Sequence, residues 1–77
     1  ASPTVADKLL NYLAQNAENG AVGIPHGYNR LASTLSVSRA SLYRVMDELE
    51  REGRIAREGK RILIKEVNHK EMEGREQ

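Results

Sequence analysis

The chain has 77 residues, a net charge of +1 and no cysteine, so it holds one small domain that buries roughly 60% of the surface its unfolded chain exposes, and disulfides, thiolate zinc sites and cysteine nucleophiles are excluded. A domain of this size leaves little room for a substrate cavity and the residues that would support it, which weighs against most enzymes. No apolar run approaches the ~20 residues of a membrane-spanning helix, and the N-terminus lacks a signal-peptide pattern, so a soluble, cytoplasmic protein without membrane contact is expected.

Val5, Leu9 and Leu13 recur every four residues, widened by Ala6, Leu10 and Ala17, and this spacing predicts an amphipathic helix from Thr4 to about Asn16. Either Ser2 or Thr4 can cap it, and Pro3 suits the first helical position if Ser2 is the cap. Glu18 to Gly27, with Gly20, Gly23, Pro25 and Gly27 around Val22 and Ile24, reads as a loop holding a short extended piece. A short helix follows from Tyr28 to Leu35, broken at Ser36 and Val37. A second begins at Ser38, whose hydroxyl can accept from an early backbone N–H. Leu42, Val45, Met46 and Leu49 keep its i, i+3, i+4, i+7 pattern, and Gly53 supplies a left-handed stop. Ile55 to Glu58 and Arg61 to Lys65 then flank Gly59-Lys60, a two-residue loop with glycine first that suits a type II′ hairpin turn. Ile62 and Ile64 should share one face. From Val67 onward the chain is polar, so residues 1–66 form the expected domain and 67–77 a solvated or frayed tail.

The order helix, short strand, helix, turn, helix, hairpin is that of an α+β winged helix-turn-helix: a three-helix core with a C-terminal β-hairpin wing and a short strand after the first helix. Leu31 and Leu35 face inward from the first motif helix, Ala32 lets its partner approach, Val37 plugs the turn, and Leu42 and Val45 close the seam. Such a unit holds one helix rigidly outward, and its known use is to lay that helix in the major groove of duplex DNA.

Charge supports this use, because the near-neutral total conceals segregation. From Gly27 to Met46 the only charged side chains are Arg30, Arg39 and Arg44; acid collects at Asp47, Glu48, Glu50 and Glu52; Arg54 to Lys65 is basic again apart from Glu58. Local basic surfaces are the footprint that matters for a polyanion, although an ordinary mixed-charge surface gives the same counts. On the helix from Ser38, the 3.6-residue repeat leaves Ala40, Tyr43, Arg44, Asp47 and Arg51 opposite the apolar stripe, with Arg39 at its flank. Arginine's fork matches O6 and N7 of guanine, so Arg39 and Arg44 are the leading base readers, with Ala40 and Tyr43 beside them. The bland alternative for Arg44 is an i,i+4 pair with Glu48, and for Tyr43 simple cover of the helix. Phosphate donors are expected at Ser38 and Ser41, at Tyr28 and Asn29 where the first motif helix begins, and at Lys60 and Arg61 on the hairpin tip. Arg30, Arg54 and Arg57 are as readily solvated as functional, and His26 belongs to the loop. Asp47 suits DNA poorly unless it accepts from a base or pairs with Arg51. His26 and His69 fit no metal-binding spacing, and no metal or catalytic group is expected.

From Tyr28 to Ile64 the sequence resembles the C-terminal DNA-binding domain of the cyclic-AMP receptor protein and fumarate-nitrate regulator (Crp/Fnr) family of bacterial transcription regulators. The run Val37-Ser38-Arg39-Ala40-Ser41-Leu42-Tyr43-Arg44-Val45 is similar to that family's V/C-S-R-E-T-V-x-R-V/I, Leu49 to Ile55 to its L-E-x-E-G-x-I, and Gly59 to Ile62 to its G-K/R-x-I. The resemblance implies phosphate contacts from Ser38 and Ser41 and base reading by Arg39 and Arg44. It further implies double-stranded promoter DNA as the partner, a homodimer in the full-length protein and contact with RNA polymerase. It also implies that the chain is a piece of a longer protein whose effector-binding part, and any cofactor, lie elsewhere. Ala40 stands where the family often has glutamate, so a carboxylate able to accept from cytosine is missing. Ser36 replaces the usual turn glycine, and Tyr28-Asn29-Arg30 departs from the common R-Q-E. The competing reading is a winged helix used for protein contacts, since fold does not fix function.

Overall fold

Three helices and a three-stranded antiparallel sheet make up residues 2–65, the part that the computed structural model describes; the tail expected over 67–77 lies outside the described residues. Thr4, not Ser2, starts the first helix, α1 (Val5–Asn16). Its Oγ1 accepts from the Asp7 N–H at 3.0 Å, while Asp7 Oδ2 accepts from the Thr4 N–H at 3.0 Å. This reciprocal capping box satisfies two amides that the helix itself leaves unpaired, and it puts Pro3 outside the helix.

The extended piece expected near Val22 is a true strand, β1 (Ala21–Gly23). It joins the hairpin of β2 (Ile55–Glu58) and β3 (Arg61–Ile64) in the order β1-β3-β2. Val22 stands opposite Ile62, and the Ile24 N–H donates to the Lys60 carbonyl at 2.7 Å. The pairing leaves β3 central. In the hairpin, Glu58 faces Arg61 across a two-residue turn in which Gly59 takes φ +60°, the positive angle that a type II′ turn requires at its first position.

Between β1 and the hairpin lie α2 (Gly27–Leu35) and α3 (Arg39–Arg51). The core joins every element: Leu9 and Leu13 from α1, Val22 and Ile24 at β1, Leu31 and Ala32 from α2, Leu42, Val45, Met46 and Leu49 from α3, and Ile55 and Ile62 from the hairpin. Leu35, Val37 and Ile64 pack against it while partly exposed. The shared face expected of Ile62 and Ile64 is therefore the core face.

Both motif helices end in the same way. Ser36 adopts φ +60°, ψ +45°; its N–H donates to the Ser33 carbonyl and the Val37 N–H to the Ala32 carbonyl, each at 3.0 Å. At the end of α3, Gly53 adopts φ +76°, with the Gly53 and Arg54 amides donating to the Glu50 and Leu49 carbonyls. These are left-handed terminations of the Schellman kind, and glycine adopts them without the clash a Cβ introduces. At Ser36 that clash costs about 1–2 kcal/mol, partly offset because glycine loses more freedom on folding, by ~0.4–1 kcal/mol. Ser36→Gly is therefore expected to raise stability by about 0–1.6 kcal/mol, and Tm by at most roughly 6–13 °C, in a thermal melt followed by circular dichroism. A lower Tm would refute strain at the turn.

Candidate nucleic-acid interface

The turn after Ser36 determines which face of α3 looks outward. Leu42, Val45, Met46 and Leu49 are buried, and Ala40, Tyr43, Arg44, Asp47 and Arg51 are all exposed with Arg39 at the first position. Ser38 caps the helix, its Oγ accepting from the Ser41 N–H at 3.0 Å. A hydroxyl that accepts in this way still has its own proton to donate outward. Ser41 lies half-buried in the first turn.

Among the described residues, the ion pairs leave out Arg30, Arg39, Arg44 and Lys60. The Arg44–Glu48 pair considered from spacing is not formed. Arg39 instead donates from Nη1 to Asn29 Oδ1 at 3.2 Å, which brings together two of the residues singled out in the sequence.

Tyr28 is placed differently from the expectation of a phosphate donor. Its ring lies 5.8 Å from that of Tyr43, tilted by 60°, within the range of favourable aromatic packing. Its hydroxyl is buried with no hydrogen-bond partner, and burial pushes the phenol above its ordinary pKa. In this conformation the hydroxyl offers nothing to a phosphate; the ring supports Tyr43. Tyr43 itself is 38% exposed, the one large apolar side chain that is exposed among the described residues.

The wing carries less free positive charge than its sequence suggests. Arg57 Nη2 lies 2.7 Å from Asp47 Oδ1 and 2.6 Å from Glu50 Oε1, and the Arg57 N–H donates to Glu50 Oε2 at 2.9 Å. Arg61 meets Glu58 at 3.0 Å and Arg54 meets Glu52 at 3.6 Å. Lys60, on the exposed turn, is the tip cation outside these pairs. Arg57 is thus a half-buried tie between β2 and α3, and it, not Arg51, is the partner of Asp47. The signal for this was present in the strand: Ile55 and Arg57 alternate onto the same face of the pleat, and Ile55 is core. What was missing was the position of that face, which lies against the acidic flank of α3.

Hydrogen bonding from the Arg57 guanidinium holds the Glu50 carboxyl below its ordinary pKa, against the opposing effect of burial. A carboxylate with a depressed folded-state pKa stabilises the fold above its unfolded value, and the contribution is lost as pH falls through the folded value. Arg57, raised further above its already high pKa by Glu50 and Asp47, stays charged throughout. Stability measured by urea unfolding is therefore expected to fall as pH drops through and below the ordinary carboxylate range. Glu50→Gln should flatten that dependence, and an unaltered pH profile in this variant would remove Glu50 from the account.

A cleft of about 60 Å³ lies away from the α3 face, lined by residues including Tyr12, Pro25, His26, Arg30 and Thr34. Small-molecule sites usually measure ~300–1,000 Å³. It contains none of the base-reading or phosphate-binding candidates. Among the described residues no group of three or more His, Cys, Asp or Glu could hold a metal ion, and no helix is long and apolar enough to cross a membrane.

No curated protein matches the chain. Residues 5–69, however, match the family model of the Crp-like helix-turn-helix domain, a span that takes in all three helices, β1 and both strands of the wing. With the match covering most of its length and the fold agreeing element by element, the chain belongs to the Crp-like helix-turn-helix family, whose members are DNA-binding domains of transcription regulators.

Proposed function

We propose that α3 enters the major groove of duplex DNA and that its N-terminal two turns read sequence. The observation that carries this reading is the common exposure of Arg39, Ala40, Tyr43 and Arg44 on the face of α3 opposite its buried stripe. Arg39 and Arg44 supply the guanidinium groups that pair with guanine, while Ala40 and Tyr43 supply apolar contact of the kind a thymine methyl accepts. Ser38, Ser41, Lys60 and Arg61 fix register by donating to phosphates. The wing, tied to α3 through Arg57, carries Lys60 to the duplex. Asp47 is compatible with this surface because Arg57 compensates its charge at 2.7 Å.

The reading requires no cofactor. A homodimer on two half-sites, a contact with RNA polymerase and a cytoplasmic location rest on family membership alone. Selection of the chain against a random duplex library, read at two salt concentrations, tests the proposal. An enriched motif and an affinity that falls steeply with salt are expected. Lys60→Ala should weaken binding to all duplexes alike and flatten the salt slope by about 0.9, the value of one phosphate contact. No enrichment at either salt concentration would favour the protein-contact reading.

A further inference from the structure

Asn29 and Arg39 are ten residues apart, yet the helix-turn-helix brings the first turn of α2 beside the first turn of α3, and Arg39 Nη1 donates to Asn29 Oδ1 at 3.2 Å. Resting on the base-reading role proposed for Arg39, we infer that Asn29 is a positioning residue for that arginine: its amide oxygen aims the guanidinium into the groove, and its effect on DNA recognition runs through Arg39.

Three properties of the pair carry this. An exposed arginine has a long, freely rotating side chain, and one hydrogen bond near its tip removes much of that freedom before DNA arrives. The guanidinium has five N–H donors, so using one on Asn29 leaves enough for a bidentate contact with a guanine edge. The acceptor is neutral. A carboxylate in its place would hold the arginine more tightly but cancel the charge that draws it to DNA, and no ion pair among the described residues involves Arg39. Asn29 accepts from Arg39 through its side-chain oxygen, the atom of its amide that cannot donate to a phosphate.

The test is a double-mutant cycle on the 77-residue chain, with duplexes recovered by selection and with single-base-pair variants of them. The base pair read by Arg39 is the one at which Arg39→Ala loses discrimination. Asn29→Ala is expected to reduce discrimination at that base pair by about 2- to 12-fold, the factor equivalent to freezing one long side chain. Asn29→Ala should add nothing in the Arg39→Ala background. Asn29→Asp keeps the acceptor and should restore discrimination at that base pair while weakening binding to every duplex. Both side chains are exposed, so helix content by circular dichroism should stay constant throughout.

If Asn29→Ala weakens all duplexes equally and adds to Arg39→Ala, Asn29 is a phosphate ligand and the inference is wrong. Unchanged discrimination in Asn29→Ala overturns it as well, by making the hydrogen bond incidental. Full discrimination retained by Arg39→Ala would sink the base-reading role and this inference together. That result is distinct from one in which only the asparagine fails.

Discussion

Leu42→Ala is expected to destabilise the chain by about 2–5 kcal/mol, the range for deleting a fully buried leucine side chain and leaving a cavity behind. Leu42 has no exposed surface and sits on α3, the helix that packs against α1, α2 and β2. Surrounding groups are anchored from several elements, so the site has little scope to collapse around the void. A domain of this length has a total stability of only about 4–12 kcal/mol, so the variant should lose a large fraction of it. Urea unfolding with linear extrapolation measures the loss. A decrease below about 1 kcal/mol would mean that the core closes around the cavity, contrary to the packing described. Because α3 is also the proposed reading helix, any loss of DNA binding in this variant should track the fraction unfolded.

The second large effect separates the two. Arg39→Ala and Arg44→Ala are each expected to cost about 1–3 kcal/mol of discrimination between a selected duplex and one with the corresponding base pair changed, equivalent to roughly 5- to 150-fold in relative affinity. Both side chains are exposed and outside the ion pairs of the described residues, so stability should move by no more than about 0.5 kcal/mol. Competition titrations with matched duplexes, paired with thermal melts, give both readings from one preparation. If discrimination survives in both variants, α3 does not read sequence through these residues. If it falls only together with Tm, the loss is structural.

Ala40 and Tyr43 lie exposed between those arginines on α3. Neither side chain carries a charge, so under the proposed reading the charge-assisted hydrogen bonds to bases fall to Arg39 and Arg44. The packing of Tyr43 on Tyr28 at 5.8 Å has a second consequence. It gives the tyrosine a defined position and so makes it a shape element of the interface.

The helices were legible from spacing because a helix buries one face, and one face leaves a 3.6-residue trace. Leu9 and Leu13 in α1 and Leu42, Val45, Met46 and Leu49 in α3 are buried as that trace requires. Ser38 as a cap, Gly53 as a left-handed stop and the Gly59-Lys60 turn were equally legible, since each is a local property of a few backbone torsions, whereas the glycine-like conformation of Ser36 was signalled only by the family resemblance. The outward set of α3, from Arg39 to Arg44, follows from the same geometry.

What the sequence could not specify depends on contacts between segments far apart along the chain. Val22 reads as a brief extended piece, and only the edge of β3 makes it a strand. The Asn29–Arg39 hydrogen bond, the Tyr28–Tyr43 packing and the Arg57–Asp47–Glu50 tie each join side chains from different elements, over sequence separations that carry no periodic signal. Arg57 is the clearest case. In sequence it is one cation in a basic hairpin; in the fold, strand alternation and the approach of α3 make it the half-buried counter-charge of two acids. Local sequence thus determined the three helices, the hairpin and the outward face of the proposed reading helix. Tertiary packing decided which charges remain free to meet DNA, because ion pairing depends on distances that only the assembled elements establish.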